Sequence, residues 1–175
     1  MTQASAYSNH AFVALGSNLP SGAGDPVENI DFALKALADI SVASLKVSSV
    51  YSTSPVDSPP GTPDFLNAMA ALVPLENETP HSLLNKLQHI ENSAGRKRSG
   101  IRNEARTLDL DLILFGEVFV DTPTLIVPHP RAHERKFVLE PLIDIVGEDF
   151  CFPGRNETLG ELLEGIGEEQ VIRRK

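Results

Sequence analysis

Asp109 and Asp111 stand two residues apart in RTLDLDLILFG (106–116), a run that is otherwise mostly leucine, isoleucine and phenylalanine. Read as a strand, the segment alternates: Leu108, Leu110, Leu112 and Leu114 face one way, and Asp109, Asp111, Ile113 and Phe115 the other. Two carboxylates at this spacing are ~7 Å apart at the backbone, within joint reach of one divalent cation or a pair. Two like charges in apolar surroundings require a positive partner. Mg²⁺ is one candidate, because it takes hard oxygen ligands and is often held by one or two carboxylates plus substrate phosphates. Pairing with nearby arginines is the plainer alternative.

Those arginines lie just upstream. RKRSGIRNEAR (96–106) carries five basic residues and one acidic one in a chain whose net charge is −9. The overall acidity argues against general nucleic-acid binding. A local basic loop beside two carboxylates points to a compact polyanion, since guanidinium groups hold phosphate oxygens with paired hydrogen bonds. No GxxxxGK[ST] motif is present, so any nucleotide is held without a P-loop. Further on, VPHPRAHERKF (127–137) adds His129, Arg131, His133, Arg135, Lys136 and Phe137. It has no HExxH and no trio of histidine ligands, which argues against a zinc hydrolase. Phe65 and Asn67 share a strand face, so an aromatic ring and an amide could together hold a flat heterocycle.

The elements that must position these groups follow from pattern. AFVAL (11–15) reads as a buried strand. A helix starts at the cap Asp25, with Pro26 in its first turn, Glu28 three residues after the cap, and an apolar stripe of Val27, Ile30, Leu34 and Leu37. SLKVSSVYS (44–52) and FLNAMAALVPL (65–75) read as strands, joined by a Pro/Gly-rich loop. Thr79-Pro80 opens a second helix, with Leu83, Leu87, Ile90 and Ala94 on one face, Gln88 and Glu91 one turn apart on the neighbouring stripe, and Gly95 as its stop. The aspartate strand comes next, then a turn near Asp121–Thr124, a loop into a short helix, and a weakly helical LGELLEGI. The order βα, ββ, αβ predicts one α+β domain over residues 1–175: a ferredoxin-like core whose antiparallel sheet carries packed helices. Residues 1–10 and 168–175 read as flexible tails. A lone Cys151 excludes an internal disulfide and fits the cytoplasm. No signal peptide and no apolar stretch long enough for a membrane span is apparent.

Six segments in order, ALGSNL (14–19), VYSTSPV (50–56), PDFLNA (63–68), LQHIENSAGRKR (87–98), RTLDLDLILFG (106–116) and VPHPRAHERKFVLEPL (127–142), resemble the 6-hydroxymethyl-7,8-dihydropterin pyrophosphokinases of folate biosynthesis. The resemblance implies that Asp109 and Asp111 bind two Mg²⁺ ions bridging the phosphates of the co-substrate ATP. It places Arg96, Arg106, His129 and Arg135 on the triphosphate, with Arg98 and Arg102 closing over it. Gln88, Glu91 and Leu112 would lie near the nucleoside. Phe65 and Phe137 would sandwich the pterin, Thr53, Val56 and Asn67 would read its edge, and Gly16 would lie close by. It further implies two mobile loops (53–64 and 96–106) and a monomer, while the acidity and the lack of a long apolar stretch predict no nucleic-acid or membrane partner. Two departures stand out: Asn103-Glu104-Ala105 replaces a Trp-Gly-Pro of the family pattern, and Ser54 replaces a common proline. The serine predicts a looser pterin loop, and together the changes predict impaired loop closure with weaker nucleotide binding or slower turnover. A Mg²⁺-dependent nuclease or phosphohydrolase, and a ferredoxin-like binding module, are the competing readings of the same residues.

Overall fold

The computed structural model describes residues 6–55, 60–96, 105–167 and 172–174. Two helices begin where the capping signals place them. At Asp25 the side chain accepts from the N–H groups of Val27 and Glu28, and Glu28 returns a bond to the Asp25 N–H, so α1 runs Pro26–Asp39. Thr79 caps α2, Pro80–Ser93, in the same way through Ser82, and Gly95 (φ 75°) turns the chain out of it. α2 buries Leu83, Leu87 and Ile90 as expected. The buried face of α1 differs from its apolar stripe: Val27 is 50% exposed, while Asn29 is wholly buried beside Ile30, Ala33 and Leu37.

Around these helices run β1 (Ala11–Ser17), β2 (Lys46–Val47), β3 (Tyr51–Thr53), β4 (Phe65–Leu72) and β5 (Asp109–Phe115). The single strand expected over 44–52 is broken into β2 and β3. The Ser48 side chain captures the N–H of Met69 at 2.9 Å, and the next N–H, of Ser49, turns to Asp144. A small hairpin of β6 (Val120–Thr122) and β7 (Leu125–Val127) forms around the expected turn. A 3₁₀ turn at Ala132–Glu134 leads into α3 (Lys136–Val146), followed by α4 (Leu159–Glu164) and β8 (Ile172–Arg174). Residues 172–174, assigned from sequence to a flexible tail, lie antiparallel to β3.

The main sheet has the order β5-β1-β4-β3-β8, with β2 also on β4, and every pairing is antiparallel. β1-α1-β3-β4-α2-β5 with the order 5-1-4-3 is the ferredoxin-like arrangement. α1 and α2 cover one face through Val13, Leu15, Ala68, Ala70, Leu110 and Leu112. α3 and α4 cover part of the other through Phe12, Met69, Ile113 and Leu114. The simple alternation of 108–115 fails at one point. Leu112 pairs with Val13 but Leu114 with Phe12, so Ile113 is an extra residue on β5. Leu114 therefore joins Ile113 on the α3 face, and Phe115 turns to the opposite core. The bulge lies beyond the aspartates and leaves their alternation intact.

Candidate active site

Four strand ends converge at one end of the sheet: the close of β1 and β3 and the start of β4 and β5. The register aligns Tyr51, Asn67, Gly16 and Asp109 in one cross-strand row. Phe65 pairs with Thr53 on one side of it, and Met69, Ala14 and Asp111 form the row on the other. Alternation keeps all of these on the face that α3 covers farther along. Gly16 leaves the middle of the row without a side chain. A Cβ there would meet Asn67 Oδ1 at 3.5 Å and the Asp109 Cβ at 3.7 Å, ordinary contacts, so the neighbours do not require glycine. The gap is available to a ligand. Asn67 Nδ2 donates to Thr53 Oγ1 at 2.7 Å, which fixes the amide and leaves Oδ1 on the Gly16 side.

Asp109 is held from both sides. Arg96 donates to Oδ1, and Arg106 Nη1 to Oδ2 at 2.5 Å. Arg96 also donates to Glu91, which is 2% exposed and accepts the Leu110 N–H at 2.8 Å. Burial alone would depress the Arg96 pKa, but Asp109 and Glu91 outweigh it and raise it above the ordinary value. Glu91 is thus turned inward to mount Arg96, while Gln88 points out from α2 into solvent. They do not act as the side-by-side pair that the helix spacing suggested. Leu112 is buried in the α1/α2 core, so its contribution to a ligand is confined to its backbone on β5, the edge strand.

Asp111 differs from Asp109. No described side chain hydrogen-bonds its carboxylate, and burial followed by the charge of Asp109 pushes its pKa up to about 7, against the pull of Arg135. A carboxylate left in this condition beside a second one has the donor character of a Mg²⁺ site, with the remaining ligands left to phosphate and water. Among the described residues no cluster of three or more metal-ligating side chains exists. A cation here would rest on these two aspartates.

Arg135 and Phe137 arrive at the start of α3, the guanidinium carbon 5.6 Å from the ring centre. His129 is fixed by its N–H to the Ile113 carbonyl at 2.9 Å, and its Nδ1 accepts the Arg131 N–H at 3.2 Å. Burial, then Arg135 and Arg131, lowers its pKa to about 4, so it is neutral at physiological pH with its proton on Nε2. Arg106 lies over Phe65, 5.8 Å from the ring centre. Thus Gly16, Thr53, Phe65, Asn67, Glu91, Arg96, Arg106, Asp109, Asp111, His129, Arg135 and Phe137 fall around one end of the sheet. Val56, Arg98 and Arg102 lie outside the described residues, as do Asn103 and Glu104 of the altered loop.

Sequence reasoning missed the support beneath. Asn29 Nδ2 donates to the carbonyls of Leu19 and Thr107 and to Ser17 Oγ, at 2.9, 3.0 and 3.2 Å. Ser17 Oγ donates to Thr107 O at 2.6 Å. The available signal was a polar residue at a helix position whose neighbours are buried.

Known proteins resemble this chain over most of its length. The chain is 38% identical to the 2-amino-4-hydroxy-6-hydroxymethyldihydropteridine pyrophosphokinase of Haemophilus influenzae, over 93% of this chain and 96% of that one. It is 42% identical to the Pseudomonas aeruginosa protein of the same name, over 93% and 94%. It also matches a folate synthesis bifunctional protein of Arabidopsis thaliana at 39% identity, covering 78% of this chain but 27% of that longer one. Among solved structures, wild-type Plasmodium falciparum HPPK-DHPS with pteroate superposes at a TM-score of 0.67 and 14% identity, over 93% of this chain and 47% of that one, a likeness of fold. The model of the 7,8-dihydro-6-hydroxymethylpterin-pyrophosphokinase family matches residues 12–147, and the chain belongs to that family.

Proposed function

We propose that the Asp109/Asp111 end of the sheet carries out the transfer of pyrophosphate from ATP to 6-hydroxymethyl-7,8-dihydropterin in folate synthesis, and that it does so with Mg²⁺. The observation that carries the assignment is the cross-strand row: Gly16, which has no side chain, stands between an amide that can read an edge and a carboxylate flanked by two arginines.

The pterin lies between Phe65 and Phe137, with Asn67 Oδ1 accepting from its N–H edge and Thr53 and Val56 bordering it. Arg96, Arg106, Arg135 and the Nε2–H of His129 hold the triphosphate, joined by Arg98 and Arg102. Gln88 and the Leu112 backbone border the nucleoside, and Glu91 acts from beneath by mounting Arg96. The hydroxymethyl oxygen forms a bond to the β-phosphorus as the bond to the α–β bridging oxygen breaks, AMP leaves with that electron pair, and the hydroxyl proton is released. Two Mg²⁺ ions on Asp109 and Asp111 would supply charge neutralisation on the phosphates. The arginines offset the charge that spreads over the transferring group, and their anchors hold them ready before substrate arrives. The protein works on these small molecules as a cytoplasmic monomer without nucleic-acid or membrane partners.

The test is product identity. AMP forming from ATP only when the pterin and Mg²⁺ are present, and lost in Asp111→Ala, supports the assignment. ADP and phosphate would identify a phosphohydrolase instead.

A further inference from the structure

Asn18 follows the Gly16 gap at the end of β1 and is 4% exposed. Its Oδ1 accepts the Arg106 N–H at 2.7 Å, and its Nδ2 donates to the Pro63 carbonyl at 3.0 Å. The backbone N–H groups of Asn18 and Leu19 both donate to the Arg106 carbonyl, at 3.1 and 3.2 Å. Arg106 is therefore gripped through both backbone polar groups, and the Asn29–Ser17 bonds to Thr107 fix the next residue. Pro63 is two residues before Phe65. One amide thus joins the segment that carries a phosphate-side arginine to the segment that carries a pterin-side ring. The two contacts demand opposite polarities, an acceptor for an N–H and a donor for a carbonyl, and an amide supplies both from one planar group.

We propose that Asn18 is a positioning residue that locks segment 60–64 to segment 105–107, so that the two substrate sites are set relative to each other by one side chain. The inference rests on the site assignment above. Asn18→Asp separates the two contacts. The remaining acceptor still serves the Arg106 N–H, but a carboxylate oxygen now faces the Pro63 carbonyl, and the pterin-side segment is released.

The measurement is calorimetric binding, on the full chain, of 6-hydroxymethylpterin and of a non-hydrolysable ATP analogue with Mg²⁺, alongside thermal unfolding. In folded Asn18→Asp, pterin affinity should fall about tenfold while analogue affinity stays within about threefold. Equal weakening of both ligands, or unchanged pterin affinity, overturns the inference. Phe65→Ala separates the levels: pterin affinity lost there but kept in Asn18→Asp sinks the Asn18 role alone, and affinity kept in both sinks the site assignment with it. A second measurement needs no variant. In the wild type, the analogue alone should slow amide exchange across residues 60–66, and no slowing there would refute the lock.

Discussion

The Arg106 guanidinium carbon lies 5.8 Å from the centre of the Phe65 ring while its Nη1 donates to Asp109 at 2.5 Å. One side chain thus borders both the aromatic wall and the carboxylate mount. A planar guanidinium can stack on a ring and present a fork of donors at once, which an ammonium cannot. Arg106→Lys should therefore behave nearly as badly as Arg106→Ala. Each should lower kcat/KM by about a hundredfold or more, in the range of losing a transition-state donor. Steady-state kinetics with each substrate varied will show it; a lysine variant at wild-type rate would mean that charge alone suffices.

Gly16→Ala tests whether the gap in the row is used. The added methyl meets Asn67 and Asp109 at 3.5 and 3.7 Å and needs no rearrangement. Replacing a glycine at a compatible conformation stabilises by about 0.4–1 kcal/mol. Melting temperature should hold or rise while KM for the pterin increases, by about tenfold if the methyl excludes part of the ring. A variant equally stable and equally active would show that the ligand does not use this gap.

Much of this was legible from sequence because it is local or strictly periodic. Asp25 with Glu28 fixes one helix start through bonds spanning three residues, Thr79-Pro80 marks the other, and alternation puts Asp109 and Asp111 on one face whatever they pair with. What was not legible depends on a distant partner. Ile113 is a bulge only because β1 pairs out of step there. The 44–52 strand breaks because Ser48 finds Met69. Asn29 is buried and Val27 is not, since the carbonyls that Asn29 satisfies belong to Leu19 and Thr107. Glu91 looked like half of a surface pair, but its partners, Arg96 and the Leu110 N–H, come from beyond its own helix.

His129 should make the folded state sensitive to acid. Its folded pKa, about 4, lies below the ordinary 6.5 because of burial and of Arg135 and Arg131. The folded state thus binds fewer protons than the unfolded chain between these values. Its contribution to stability is present above pH 6.5 and lost as pH falls toward 4, by up to about 3 kcal/mol. Protonation would also place a hydrogen on Nδ1, which now accepts from Arg131. His129→Asn offers an acceptor in place of Nδ1 without the titration. Urea unfolding at pH 7 and pH 4.5 should show a smaller drop for the variant; equal drops would place the acid sensitivity elsewhere.

Asp111 should set stability against function. With metal removed by chelator, its ionised carboxylate faces burial and the neighbouring charge of Asp109, which is why its pKa rises to about 7. Above that pH the charge is present and unfavourable. Asp111→Asn keeps the shape and removes the charge, so the metal-free variant at pH 8 should be more stable than wild type, by about 2–4 kcal/mol at most. Mg²⁺ should then raise the melting temperature of the wild type and leave the variant unmoved, since a ligand that binds only the folded state stabilises it by mass action. Turnover should be lost in the variant. Scanning calorimetry with and without Mg²⁺ separates the cases. A variant less stable than wild type in chelator would mean that Asp111 is a structural partner, and an equal Mg²⁺ response in both would move the metal off this strand.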